Sequence, residues 1–252
     1  MKIAEAAALL RRQDNILILT HKRPDGDTVG CAAGLCAALR NLGKRSWVLP
    51  NRDITALFAP YLEGYLSPNT YEIYTSSSAD TIIKRLLTQM EATYLTGYDE
   101  RAQELGMTMD EVITLASMIE KEAKKSDFAK VSAVFHNRLK ADMTLGSDVT
   151  IKYATGSEKM VLGDSELSVN SAYNTYTRKG LPVGPICNPS MDAIVAALYP
   201  DEQYVAQKYL YFCSTDPASG ELHFSKTLEE HNAAVAMYRP LWEEYDKSRG
   251  LN

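Results

Sequence analysis

Long hydrophobic runs are missing from this sequence. No apolar run approaches the roughly 20 residues that a membrane-spanning helix requires. Residues 1–15 place their basic pair, Arg11 and Arg12, after the apolar residues, whereas a secretory signal begins with basic residues and continues with an unbroken apolar core. The sequence as given therefore predicts a soluble protein without an export signal or a transmembrane segment.

Cysteine is scarce, and its spacing is uninformative. The sequence has four cysteines, at Cys31, Cys36, Cys187 and Cys213. They form no Cys-x-x-Cys pair and have no histidine at zinc-finger spacing. We expect small buried thiols, because free cysteine packs like a small hydrophobic residue.

The sequence also lacks a surplus of positive charge. Its 27 Lys and Arg residues are outnumbered by 32 Asp and Glu residues, which gives a formal net charge of −5. Such a chain does not attract polyanions through its overall field, so we expect no nucleic-acid partner unless a local basic patch binds one. A composition of 45% hydrophobic and 23% charged residues excludes a disordered chain, a collagen-like chain and a coiled-coil rod.

The first 60 residues alternate between strand and helix patterns. NILILT at 15–20 predicts a buried strand, a helix of small residues follows over about 28–42, and WVL at 47–49 predicts a second strand. Strand, helix and strand form a parallel crossover unit, whose ligands bind at the carboxyl ends of the strands. The polar loop 21–27 lies at that position.

Three potential metal ligands lie in this loop, namely His21, Asp25 and Asp27. Imidazole and carboxylate groups suit manganese, zinc or iron, but an ordinary turn is the alternative because turns collect Asp and Gly. THKRPDGDTVG at 20–30 and LRNLG at 39–43 resemble the opening motif of the DHH phosphoesterase family, which implies manganese at these three residues. The family's other motifs are missing, so we expect residues 1–60 to be an incomplete DHH-like fragment.

From about residue 61 the pattern becomes rich in helices. Helices are predicted after Ser78, from 109 to about 125, over 127–139, over 190–199 and from about 228. Capping boxes are predicted at two of their starts, formed by Thr108 with Glu111 and by Thr227 with Glu230. Pro240 should kink or break the last helix. YLYFC at 209–213 and LHF at 222–224 predict a hairpin.

Two glutamates lie in the apolar helix that begins at residue 109. At about 100° per residue, Glu120 falls on one shoulder of the inward apolar stripe and Glu122 falls on the opposite shoulder. Thr114, Ser117 and Lys121 should face water. A carboxyl group against apolar neighbours resists ionisation, as a general acid must near neutral pH. The alternative is a glutamate solvated at the helix edge.

A series of motifs begins at residue 62. They are LEGYLSPNTY at 62–71, LASMIEKEA at 115–123, VFHNRL at 134–139, SD at 147–148 with Thr150, YNTY at 173–176, GLPVGPICNP at 180–189, HFS at 223–225 and HN at 231–232. In this order and spacing they resemble the endolytic murein transglycosylase family, also called YceG-like, over about residues 61–246. Gly146 stands where that family usually has Gln.

The resemblance implies an enzyme that cleaves the MurNAc-GlcNAc bond of peptidoglycan without water. One glutamate protonates the glycosidic oxygen and then helps to deprotonate the primary hydroxyl of the muramyl sugar, which closes onto the anomeric carbon to leave an anhydro end. One carboxylate suffices because the nucleophile belongs to the substrate, whereas hydrolytic glycosidases generally use two. The catalytic glutamate of the family matches Glu120 best. Glu122 is the neighbour to test next and a candidate substrate contact.

Further residues are candidates for substrate binding by their chemistry. They are Ser147, Asp148, Tyr173, Asn174, Thr175, Tyr176 and His223. Each has a structural alternative: a cap for a helix that begins near Val149, a packed hydrogen-bonded turn for 173–176, and a structural histidine.

Together these observations predict an α+β protein. A helix-rich YceG-like lytic transglycosylase catalytic domain with a small sheet covers residues 61–252, after a short α/β, Rossmann-like DHH fragment over residues 1–60. The expected function is an endolytic peptidoglycan lytic transglycosylase without a cofactor, apart from manganese at the N-terminal fragment. A non-catalytic peptidoglycan-binding module and a manganese-dependent DHH phosphoesterase are the alternatives. The resemblance implies glycan strands and the cell-wall synthesis machinery as partners, and the outer face of the inner membrane as the location.

Overall fold

The computed structural model describes residues 16–19, 46–49, 63–74, 79–94 and 97–251. Its backbone contacts divide the chain into two units, Met1–Glu63 with Thr70–Thr88 and Gly64–Asn69 with Gln89–Asn252. The candidate metal ligands His21, Asp25 and Asp27 lie outside the described residues, as does the helix predicted over about 28–42. The predicted domain boundary after residue 60 stays a prediction.

The first unit contains a parallel pair of strands. Strand β1 (Ile16–Leu19) pairs with β2 (Ser46–Leu49) in a register that runs from Ile16 opposite Ser46 to Leu19 opposite Leu49. The parallel pairing that the sequence predicted is therefore confirmed. Helix α1 spans Ala79–Tyr94.

The second unit is rich in helices and contains one hairpin. Its helices are α2 (Tyr98–Glu104), α3 (Met109–Glu122), α4 (Phe128–Lys140), α5 (Asp148–Thr155), α6 (Asp164–Leu167), α7 (Met191–Leu198), α8 (Glu202–Ala206) and α9 (Leu228–Ser248). Strands β3 (Tyr211–Asp216) and β4 (Glu221–Ser225) pair antiparallel. The predicted helix-rich α+β class with a small sheet is confirmed.

Helix α3 is the centre of this unit. The predicted capping box is present, since Thr108 accepts from the Glu111 N–H and the Glu111 carboxylate accepts from the Thr108 N–H. Every residue from Val112 to Ile119 is buried, which corrects the expectation that Thr114 and Ser117 face water. Both hydroxyls are satisfied inside the protein, because Thr114 donates to the Asp110 carbonyl at 2.8 Å and Ser117 donates to the Thr114 carbonyl at 2.7 Å.

The end of α3 is set by the backbone. The helix stops at Glu122, three residues before the predicted end, because Ala123 adopts an extended conformation with φ −141°. Around α3 pack the buried side chains of α4 and α7, including Phe135 and Ile194. Full burial of such side chains stabilises the fold by roughly 1.5–3 kcal/mol each. The two glutamates at the end of α3 are thus carried by a rigid element.

The hairpin and α9 complete the unit. The predicted capping box at Thr227 and Glu230 is present at the start of α9. Pro240 lies inside α9 and does not break it. The Trp242 indole donates to the Ser214 carbonyl of β3 at 3.1 Å, which fixes the helix against the hairpin.

Candidate active site

Glu122, the last residue of α3, has its carboxyl group enclosed by other segments. The Ser147 hydroxyl donates a hydrogen bond to Glu122 Oε1. Burial raises the pKa of Glu122 to about 7, with a further increase from Asp148. The bond from Ser147 and the charges of Lys152 and Arg138 oppose that increase. A carboxyl group with this pKa can both give and take a proton near neutral pH.

Ser147 is itself held firmly. Its backbone N–H donates to Thr175 Oγ1 at 3.0 Å, and its carbonyl accepts from Thr150 Oγ1 at 2.8 Å. The residue stands at the N-cap position of α5, but its side chain makes no cap hydrogen bond. The Ser147 hydroxyl therefore does not cap α5 and donates its hydrogen bond to Glu122 instead.

Asp148, the first residue of α5, forms a pair with Tyr176. The Tyr176 hydroxyl donates to Asp148 Oδ1. Burial raises the pKa of Asp148, whereas the Tyr176 hydrogen bond and Lys152 lower it. Burial and the Asp148 charge raise the pKa of Tyr176 far above its usual value. Tyr176 therefore stays protonated and acts as a hydrogen-bond donor beside Glu122.

Two cations, neither of which was predicted as a site residue, complete the surroundings of Glu122. Arg138, on α4, donates from Nε to the Leu210 carbonyl at 2.5 Å and from Nη1 to the Leu145 carbonyl at 2.7 Å. Lys152 lies one helical turn after Asp148 on α5. The only sequence signal for Arg138 was its place in VFHNRL at 134–139.

Glu120 lies in a different environment. Its Oε2 accepts from the Ser190 backbone N–H at 3.1 Å and from the Ser190 hydroxyl at 2.5 Å. Ser190 is the N-cap of α7, where its hydroxyl also accepts from the Ala193 N–H. Glu120 therefore joins the end of α3 to the start of α7. The prediction that Glu120 is the catalytic acid stays a prediction.

The turn 173–176 contributes unequally to the site. Asn174 and Thr175 are each 1% exposed. Asn174 Nδ2 donates to the carbonyls of Leu167 and Val169, and Thr175 Oγ1 is hydrogen-bonded within the Ser147 network. The Tyr173 ring packs 4.8 Å from Tyr153. These contacts agree with the packed-turn alternative. Tyr176, at 36% exposed, is the member of the turn that both reaches solvent and bonds to Asp148.

The two histidines lie on the hairpin side of the unit. His223 is exposed on β4, and its ring is 6.1 Å from that of Tyr238. The structure records no contact between His223 and Glu122 among the described residues. The His231 ring stacks on Tyr211 at 5.1 Å. Burial, then Arg138 and His223, lower the pKa of His231, so it is neutral at pH 7.

A cavity of about 320 Å³ lies beside the turn 173–176. It is lined by Ala172, Asn174, Thr175, Arg178, Lys179, Gly180, Leu181, Pro182 and Val183. Because Thr175 also bonds to Ser147, one residue joins the cavity to the Glu122 site. The first four residues of the GLPVGPICNP motif form part of its wall.

No group of His, Cys, Asp or Glu in the described ranges could hold a metal ion. Within those ranges, none of the helices combines the length and apolar character that crossing a bilayer requires.

Comparisons with known proteins agree with this architecture. A model of the YceG-like family matches residues 1–237. The endolytic murein transglycosylase of Bacillus subtilis is 40% identical over 179 residues, which are 70% of this chain and 48% of that protein. The protein of the same name from Streptococcus pneumoniae (serotype 2) is 34% identical over 194 residues, which are 75% of this chain and 34% of that protein.

A solved structure is also similar. The 2.6 Å crystal structure of a putative YceG-like protein from Listeria monocytogenes has a TM-score of 0.60 and 40% identity, over 68% of this chain and 55% of that one. This chain therefore spans about half, or less, of the length of these relatives. The family match begins at residue 1, and none of these comparisons supports a DHH-like fragment or manganese in the first 60 residues.

Proposed function

Because this chain belongs to the YceG-like family, we propose that it is an endolytic murein transglycosylase and that Glu122 is its general acid and base. One observation carries the proposal: the enclosed Glu122 carboxyl group, whose pKa is raised to about 7, lies where the Ser147 hydroxyl, Asp148 and Tyr176 converge. Relatives at 40% and 34% identity that are named endolytic murein transglycosylase support the substrate class.

The proposed reaction needs one proton carrier. Protonated Glu122 gives its proton to the glycosidic oxygen as the bond from that oxygen to the muramyl anomeric carbon breaks. The resulting carboxylate then takes the proton of the muramyl primary hydroxyl, whose oxygen bonds to the anomeric carbon. Because Ser147 donates to Oε1, Oε2 is the atom that carries the proton. The products are an anhydro end and a free hydroxyl on the other sugar, and Glu122 is protonated again.

Asp148 and Tyr176 have supporting roles in this proposal. A positive charge develops near the anomeric carbon as the glycosidic bond breaks, and a neighbouring carboxylate stabilises it. Asp148 is the carboxylate beside Glu122 that can take this role, and the Tyr176 hydroxyl and Lys152 offset part of the increase in its pKa that burial causes. In this proposal the two carboxyl groups take different roles, Glu122 as the proton carrier and Asp148 as the neighbouring charge.

Glu122 suits the reaction better than Glu120 on geometric grounds. The Glu120 carboxylate is occupied by two hydrogen bonds from Ser190, which fix the start of α7. The Glu122 carboxyl group instead accepts a hydrogen bond from Ser147, whose backbone N–H donates to the cavity residue Thr175. A single hydroxyl donor leaves one carboxyl oxygen for the substrate.

The substrate sets the expected location and partners. Murein lies outside the cytoplasmic membrane, so we infer that the protein acts in the cell envelope, with peptidoglycan strands as its substrate and the cell-wall synthesis machinery as its surroundings. Fractionation of cells that produce a tagged copy of the chain tests this location. Recovery in the cytoplasm alone would contradict it.

The reaction can be distinguished from hydrolysis by its product. Purified protein is incubated with peptidoglycan in ¹⁸O-labelled water, and the released fragments are analysed by mass spectrometry. The proposal predicts anhydro-muramyl ends without ¹⁸O, because the nucleophile is the sugar's own hydroxyl. Reducing ends that carry ¹⁸O would contradict it. Binding to peptidoglycan without any released fragment would select the non-catalytic module instead.

A further inference from the structure

Arg138 is anchored next to the segment that carries Ser147. Its Nη1 donates to the Leu145 carbonyl at 2.7 Å and lies 3.4 Å from the Thr144 carbonyl oxygen. Its Nε donates to the Leu210 carbonyl at 2.5 Å, and its Cζ lies 4.9 Å from the centre of the Tyr211 ring. The planar guanidinium therefore joins α4, the start of β3 and the backbone two residues before Ser147.

Gly146 makes this close approach feasible. Its φ is +52°, and a Cβ placed on it would lie 3.1 Å from Arg138 Nη1 and 3.7 Å from the Tyr176 ring. A side chain at this position would compete with the guanidinium for space. Leu145, Gly146 and Ser147 are consecutive, so the anchor on Leu145 sets the path of the chain into Ser147.

The charge of Arg138 acts on Glu122 without an ion pair. Among the described residues the two side chains form no salt bridge, and Nε and Nη1 of Arg138 donate to carbonyl groups. The charge still favours the carboxylate form of Glu122, as does Lys152, whereas Asp148 opposes it. The other groups that face the carboxyl are the hydroxyls of Ser147 and Tyr176. Guanidinium keeps its charge when partly buried, because its pKa lies far above neutrality.

We propose that Arg138 is a positioning residue of this site. It holds the Leu145–Gly146–Ser147 backbone so that the Ser147 hydroxyl stays bonded to Glu122, and it places a fixed positive charge beside the carboxylate that forms when Glu122 gives up its proton. This inference rests on the proposed function and deepens it.

Arg138→Lys tests the positional part, because it keeps the charge and removes the forked hydrogen bonds. We expect Arg138→Lys and Ser147→Ala each to lower kcat about tenfold, as loss of a hydrogen bond to a charged group does. Because both act through one bond, the double variant should be no slower than Ser147→Ala alone. A double variant whose kcat loss equals the product of the two single losses would overturn the proposal.

Arg138→Met tests the charge, since methionine is unbranched and carries none. We expect the alkaline limb of the kcat/KM profile against pH to move to higher pH, because Glu122 keeps its proton longer without the nearby cation. Arg138→Lys keeps the charge, so it should move that limb no further than Ser147→Ala does through loss of the hydrogen bond to Glu122. Lys152→Met is the matched control for charge without anchoring. It should move the limb in the same direction, but its loss in kcat should multiply with that of Ser147→Ala. An unmoved limb in Arg138→Met would overturn the proposal.

Two additions keep the result interpretable. If the Arg138 variants do not fold, as judged by circular dichroism, Tyr211→Leu removes the ring under the guanidinium and leaves the carbonyl acceptors. Its loss in kcat should likewise not multiply with that of Ser147→Ala, and multiplication would overturn the proposal. Glu122→Gln is assayed in parallel. If Glu122→Gln is inactive while the kcat losses of the Arg138 and Ser147 variants multiply, only the positioning role of Arg138 fails. If Glu122→Gln is active, the proposed function of Glu122 fails.

Discussion

Glu120 and Glu122 lie two residues apart on α3, and different segments of the chain bind their carboxyl groups. Glu120 accepts two hydrogen bonds from Ser190 at the start of α7, whereas Glu122 accepts one from Ser147 at the start of α5. Side chains separated by two residues point away from each other on a helix. The two glutamates can therefore be tested separately, and we assign them a structural and a chemical role respectively.

The enclosed Glu122 carboxyl group should cost stability at alkaline pH. Its pKa is about 7 in the folded protein against an ordinary value of 4.5, so the folded state binds more protons between these values and stability falls as pH rises through them. A difference of this size corresponds to roughly 3 kcal/mol above pH 7. We predict that Glu122→Gln is more stable than wild type in urea unfolding at pH 8, and about equal at pH 4. Equal stability at both pH values would contradict the enclosed carboxyl group.

Glu120 should contribute to stability through Ser190. Glu120→Ala leaves the Ser190 N–H and hydroxyl without their acceptor, which should cost about 1–3 kcal/mol. Glu120→Gln keeps an oxygen acceptor and should lose less. Thermal unfolding of the two variants measures the difference. If Glu120→Ala had the same melting temperature as wild type, the hydrogen bonds between Glu120 and Ser190 would not contribute to stability.

Asp148 should influence the pH at which the enzyme works. Its negative charge raises the pKa of Glu122, so Asp148→Asn should lower that pKa and move the alkaline limb of kcat/KM to lower pH. Asn keeps an oxygen to accept from Tyr176. Glu104→Gln, which removes an exposed carboxylate from α2, is the control and should leave the limb in place. An alkaline limb that moved to higher pH in Asp148→Asn would contradict the claim that the Asp148 charge raises the pKa of Glu122.

Gly146 should tolerate a side chain less well than another glycine with positive φ. Gly156, at the end of α5, has φ +73°, and a Cβ added to it would have no atom within 4 Å. Gly156→Ala should therefore lower stability only through backbone strain, by about 1–2 kcal/mol. At Gly146, with φ +52°, the Cβ would also lie 3.1 Å from Arg138. We predict that Gly146→Ala unfolds at lower urea and has a lower kcat, whereas Gly156→Ala keeps its kcat. Equal kcat values would contradict the role given to this contact.

Local sequence signals predicted much of the fold. The capping boxes at Thr108 and Thr227 mark real helix starts, because each depends on residues three positions apart. The strand predicted at 209–213 is present but extends over Tyr211–Asp216, since pairing with β4 continues to Asp216. The short helices α2, α6 and α8 were not predicted, as they bury few residues and have little periodicity.

The active site could be predicted only in part. Glu122, Ser147, Asp148 and Tyr176 lie within the motifs, whereas Lys152 does not. Periodicity cannot distinguish Glu120 from Glu122, because both lie on shoulders of the same stripe. Their partners, Ser190 and Ser147, are 70 and 25 residues away along the chain. Thr114 and Ser117 were expected at the surface because their polarity fits the outer face. In the structure, long-range packing covers that face, and Ser117 also accepts from the Ile186 N–H at 3.0 Å.

A comparison of three proteins on the same peptidoglycan decides whether Glu122 carries the proton. Anhydro-muramyl ends are counted by mass spectrometry after incubation with wild type, Glu122→Gln and Glu120→Gln, each first shown to be folded. Loss of general acid catalysis should slow Glu122→Gln by about 10²–10⁴-fold, while Glu120→Gln should stay within a few-fold of wild type. Full activity in Glu122→Gln, together with loss of activity in Glu120→Gln, would contradict the claim and return the catalytic role to Glu120.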